Sequence, residues 1–194
     1  MKPIQFVVSI VVVSLLIAGA AAPAAESHNQ TIRYTAIATN LDPAVNVTAT
    51  QVDFTVTRWS TDAERQQLLG ILVEKGQDRL LRALQKLPRA GTIRTPDSLA
   101  YDIQYARRIP GEDGGERVVL VTDRPIAFWE AANRTRTLDY PFMVVELRLD
   151  ARGRGEGKLT VATKLEVDKP SGQIILENYG SQPVRLSNVK REVD

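Results

Sequence analysis

The sequence predicts an α+β domain: a strongly bent antiparallel β-sheet or partly open β-barrel with a two-helix insertion after the second strand. Three observations predict it. Beyond residue 30 most of the chain alternates apolar and polar residues with period two, the pattern of half-buried strands. Short turns rich in Gly, Pro, Asn and Asp separate these segments, and they suit antiparallel hairpins because parallel pairs need long crossovers. One stretch, about 61–87, switches to helical spacing and interrupts the strands.

In 31–40, Ile32, Tyr34, Ala36 and Ala38 alternate with more polar neighbours, and Asn40-Leu41-Asp42-Pro43 is a turn signal. In 46–59, Val52, Phe54 and Val56 face one way, while Gln51, Asp53, Thr55 and Thr57 face the other. Thr61 and Glu64 then have capping-box spacing: the Thr oxygen accepts from one free helix N–H and Glu64 reaches back to another. Leu68, Leu69, Ile71 and Leu72 recur at helical spacing up to Gly76, a stop signal. Leu80, Leu84 and Leu87 carry a second amphipathic helix to Pro88. These leucines read as core contacts, with the helix pair across the open mouth of the sheet or on its concave side.

Strand signals resume at 91–95 and at 101–106, where Tyr101, Ile103 and Tyr105 alternate with Asp102, Gln104 and Ala106. Pro110 to Gly115 is a turn, and the apolar run Val118 to Val121 reads as a buried strand. Asp123-Arg124-Pro125 breaks it, Ile126 to Trp129 resumes it, and 133–139 is polar. Met143, Val145, Leu147 and Leu149 alternate next. The Gly-rich segment 150–157 reads as a flexible hairpin loop before Leu159, Val161, Thr163, Leu165 and Val167. The last two strands are expected at 173–179 and 184–189.

The first residues read differently. Lys2 precedes the apolar stretch Ile4 to Ala18 and a small-residue tail that ends in Ala22-Pro23-Ala24-Ala25. This order is that of a bacterial-type signal peptide, with cleavage after Ala24. The expected organisation is a signal peptide over 1–24, a flexible mature N-terminus over 25–30 and a single α+β domain over 31–194, periplasmic or secreted. An uncleaved anchor is the rival reading, since the apolar stretch approaches the roughly 20 residues that span a bilayer. Either way the domain lies outside the cytoplasm, and no transmembrane segment is expected after cleavage.

Composition narrows the chemistry. The chain has no cysteine, so it has no disulfide, no thiolate metal site and no thiol nucleophile. Its one histidine, His28, precedes the predicted domain, which argues against a Ser-His-Asp triad or a multi-histidine metal centre inside it. The 25 basic and 23 acidic residues are interspersed and the net charge is only +2, so nothing points to nucleic acid.

Several motifs invite functional readings. Gly153 to Lys158 looks like a phosphate loop, but a strand pattern follows it where such a loop needs a helix. Glu112, Asp113 and Glu116 lack the spacing of a calcium loop and read as solvated charges in a turn. Arg124 could hold a ligand carboxylate, and Glu130 beside Trp129 could act as an acid. Arg58, Trp59, Tyr101, Tyr105, Tyr140, Phe142 and Tyr179 could line a pocket. The predicted ligand-binding set is Arg58, Tyr101, Tyr105, Arg124, Trp129 and Glu130. No catalytic residue, metal ligand or cofactor is predicted.

Thr122-Asp123-Arg124-Pro125-Ile126, the segment Gly153 to Lys158, and Glu177-Asn178-Tyr179 with Pro183-Val184 resemble segments of exported bacterial proteins of unknown function. The resemblance spans roughly residues 50–190 and implies an envelope or secreted location without an activity. The order of strands around a helix pair is also similar to helix-grip lipid-binding domains. That family closes with a long C-terminal helix, where this chain has a strand pattern at 184–189. The function expected is an exported, non-enzymatic domain that holds a hydrophobic or amphipathic small molecule between sheet and helix pair. The alternative is a cell-envelope interaction or scaffold domain that binds protein by a strand edge or loop surface. An enzyme built on Glu130 and Arg124 is the weakest reading, because spacing locates no paired acid and base.

Overall fold

The computed structural model describes residues 30–39, 49–96, 99–123, 140–168, 173–178 and 183–193. The predicted leader, Ile126 to Trp129 and the polar segment 133–139 lie outside the described residues.

The elements run β1 (Ile32–Thr39), β2 (Thr50–Val56), α1 (Asp62–Lys75), α2 (Gln77–Leu84), β3 (Gly91–Arg94), β4 (Tyr101–Ile103), β5 (Tyr105–Pro110), β6 (Glu116–Thr122), β7 (Phe142–Leu149), β8 (Arg154–Asp168), β9 (Gln173–Asn178) and β10 (Val184–Val193). A short 3-10 turn, Glu112–Gly114, joins β5 to β6. The strands are hydrogen-bonded in the order β4-β3-β2-β1-β10-β8-β7-β6-β5, and β9 pairs with the far half of β8. All these pairings are antiparallel. The predicted α+β class, a partly open barrel with a helix pair after the second strand, is the observed one.

The sheet nearly closes on itself. Its two ends, β4 and β5, are consecutive in the chain and separated by Gln104 alone. Gln104 donates its N–H to the Val121 carbonyl at 3.0 Å, and Ser60 exchanges hydrogen bonds with the Ala106 backbone at 2.8 and 3.1 Å. These bonds draw the seam together without a full ladder across it.

Inward residues fill the barrel. Tyr34, Phe54, Ile93, Ile103, Leu120 and Met143 are among its fully buried side chains. Each such burial contributes about 1.5–3 kcal/mol. The concave side is lined with these buried side chains, and the helix pair packs on the outer face of the wall, against Tyr105, Val121, Phe142 and Leu165. This corrects the expected placement across the mouth or inside the curve. The cause lies in β6 and β7, which read ERVVLVT and FMVVELRL. Their inner residues Val118, Leu120, Met143 and Val145 serve the barrel, while Val121, Phe142 and Val144 make a second apolar face that needs cover.

The segment 150–157 is also corrected. Only Asp150 to Gly153 turns, and Gly155 and Gly157 lie within β8. A Cβ on Gly155 would stand 1.8 Å from the Arg148 carbonyl oxygen, so the glycine is there because two backbones approach closely, not because a loop needs freedom. Among the described residues no helix is long and apolar enough to cross a membrane.

Candidate functional site

The helix pair does not seal against the sheet. Between them runs a groove of about 560 Å³. Leu68, Leu69 and Leu72 of α1 and Leu80 and Leu84 of α2 form one wall. Ile109, Val119, Val121, Phe142 and Val144 of the strands form the floor, with Tyr105 beside them. The β8–β9 arm supplies Leu165, Ile174 and Leu176 along the third side. Ile174 and Leu176 are 45% and 48% exposed, high values for large aliphatic side chains.

Local rules position the walls. Thr61 and Glu64 form the predicted capping box, with Glu64 N–H to Thr61 Oγ1 at 3.2 Å and Thr61 N–H to Glu64 Oε2 at 2.8 Å. Gly76, at φ +74°, turns α1 directly into α2, so Leu68, Leu72, Leu80 and Leu84 share one apolar cluster. The φ lies in the region that favours glycine.

Three arginines gather at one end of the groove. Arg107 pairs across the ladder with Val119, and Ile109 with Arg117, so the two arginines are diagonal neighbours on one face. Arg65 faces them from the second turn of α1. Arg107 donates to Asp62 at 2.7 Å and Arg117 pairs with Glu146 at 2.9 Å. Arg65 has no ion pair among the described residues and is exposed. The hydrogen bond to Asp62 holds the Arg107 guanidinium still more firmly protonated. Burial pushes the Glu146 carboxyl upward, but Arg148 and Arg117 beside it bring the net shift below its ordinary value. Burial pushes the Tyr105 phenol up, with the Arg107 charge pulling against it. The groove therefore has a cationic end and an apolar remainder.

Of the six ligand residues predicted from sequence, Tyr105 lines this groove. Tyr101 lies on the other side of the wall, packed against the barrel core. Even spacing predicts one face for Tyr101, Ile103 and Tyr105, yet Ile103 and Ala106 both point inward. Gln104 is the extra residue where the chain leaves β3 for β6, and a one-residue slip exchanges the faces. Arg58 stands outside the groove lining. It grips Glu64 through both carboxylate oxygens at 3.0 and 2.9 Å and the Pro88 carbonyl at 2.9 Å, tying the start of α1 to the segment after α2. Arg124, Trp129 and Glu130 lie outside the described residues.

Sequence reading missed Arg65, Arg107, Arg117, Ile174 and Leu176. The alternation of Arg107 and Ile109 with Arg108, and the apolar run Ile174-Ile175-Leu176, were the available signals. It also misplaced Glu116. Far from being a solvated turn charge, Glu116 is buried in the barrel wall, where it pairs with Arg108 and, at 3.0 Å, with Arg191. The Tyr34 hydroxyl is buried beside it, and burial first, then the Glu116 charge, push that phenol far above the ordinary range.

Comparison with known protein families, curated proteins and solved structures gives no match to this chain.

Proposed function

We propose that the protein is an exported, non-enzymatic binding domain for an amphipathic molecule with an apolar chain and an anionic head. The observation that carries this reading is the polarised groove: apolar side chains along three sides, with Arg65, Arg107 and Arg117 at one end. Its volume lies within the roughly 300–1,000 Å³ typical of small-molecule sites. Arginine favours binding over proton chemistry, since its guanidinium stays charged and offers several donors to a carboxylate or phosphate. Arg65, which has no ion pair among the described residues, is the group that a ligand head would meet first. The location outside the cytoplasm rests on the leader, whose basic residue, apolar run and alanine-rich end follow the order of a signal peptide.

Titration with a fluorescent long-chain fatty acid tests the reading. Saturable binding to one site is expected. Val119→Glu places a charge on the apolar floor and should abolish it, with the far-ultraviolet circular dichroism unchanged. Arg65→Glu should weaken the fatty acid by about tenfold or more and leave the corresponding uncharged alcohol nearly unaffected. Absence of saturable binding, or equal binding by the Val119→Glu variant, would remove the proposal.

A further inference from the structure

The helix pair has a second face. On α2, Arg79 and Arg82 stand three residues apart, and Lys86 follows in the next turn, on a different side from the buried Leu80 and Leu84. Lys75, in the last turn of α1, joins them across a crease between the two helices. Ile71, Ala83 and Leu87 give the crease an apolar floor.

None of these four cations has an ion pair among the described residues. Other cations of the surface, Arg58, Arg89, Arg107, Arg117, Arg148 and Arg185 among them, do meet a carboxylate; here four without one line a single crease. Glu74 and Asp78 belong to the same helices, but neither lines the crease nor pairs with these cations. Four like charges held together repel one another, and an external anionic surface relieves that repulsion.

We infer that this face docks the protein on an anionic phospholipid bilayer. Charge complementarity selects an anionic partner. The apolar floor between the cations selects a bilayer, whose boundary offers phosphates and hydrocarbon together, the arrangement that surface-lying amphipathic helices use. A nucleic acid fits less well, because the chain as a whole is nearly neutral at +2. The surface is distinct from the groove and stands without it, although both are built on the same two helices.

Flotation of the full chain with phosphatidylglycerol vesicles and with phosphatidylcholine vesicles tests this inference. Binding to the anionic vesicles that falls as salt rises is expected. Reversal of the four charges (K75E, R79E, R82E and K86E together) should lower partitioning by about a hundredfold or more, from the per-residue attraction of basic groups to such surfaces. Any contribution of the leader is common to both chains. A variant with glutamine at the same four positions should fall in between, and it stands in if the reversed chain misfolds. The inference is overturned by equal flotation of wild type and the charge variants, by equal flotation with neutral vesicles, or by tighter binding to duplex DNA at the same ionic strength. The Val119→Glu variant separates the two readings, since it should lose fatty-acid binding and keep docking.

Discussion

Glu116 holds its charge almost out of water, its side chain 3% exposed, between Arg108 and Arg191. It sits at the start of β6 and ties β5 to β10, two strands on opposite sides of the barrel path. Truncating it removes the carboxylate that both guanidinium groups share beside an apolar core. Loss of one member of a buried pair costs about 3–5 kcal/mol. The arginines keep 29% and 24% of their exposure, so water offsets part of this cost. Glu116→Ala is therefore expected to lower the unfolding free energy by about 2–4 kcal/mol in urea titration, and a loss below about 1 kcal/mol would mean that the pair is no more than a surface one. In the sequence, Glu116 looks like one acid among three in a Gly-rich turn. What separates it from Glu112 and Asp113 is its parity with Val118 and Leu120, which puts it on the inner face of the strand.

At the scale of elements, the start of α1 was fully legible. Thr61 and Glu64 have capping-box spacing in the sequence and make both bonds in the fold. Burial pushes the Glu64 carboxyl up, but the Arg58 and Thr61 hydrogen bonds and the Arg58 charge outweigh it, and the folded value lies below the ordinary 4.5. A depressed carboxylate stabilises the fold above its unfolded pKa and loses that contribution as pH falls through the folded one. The N-terminal turn of α1 should thus loosen on acidification below about pH 5. Comparing the acid limb of the unfolding free energy of wild type with that of Glu64→Gln checks this: the variant should show the shallower dependence. Identical limbs would rule the cap out as a source of acid sensitivity. Other elements were less legible. The continuous apolar runs of β6 and β7 signalled burial on both faces, yet which face the helices cover depends on how the whole sheet curves, a property no single strand displays. Period two failed at Gln104 because the slip there follows from pairing with two different partners. The glycines of β8 mimic a loop in composition, and only the nearness of Arg148 and Glu146 backbone shows why a side chain is excluded there.

For the whole molecule, the fold class was readable from periodicity and turn chemistry, whereas the groove was not, since it is assembled from both helices and strands β5 to β9. Closure rests on β10, which lies between β1 and β8 and joins the two halves of the sheet. Deleting residues 184–193 leaves β1 and β8 without the partner between them and exposes the inner faces of both. Such a chain should lose its near-ultraviolet circular dichroism and fall into aggregates, and a native-like spectrum would show that β1 and β8 can pair directly. The same strand order has a temporal meaning. Ile32 and Val193 are neighbours in space but stand at opposite ends of the domain in sequence. A ribosome delivers them well apart in time, and until the second arrives the earlier strands have no completed barrel to join. Closure of the barrel is therefore a late event, set by the strand that is made last.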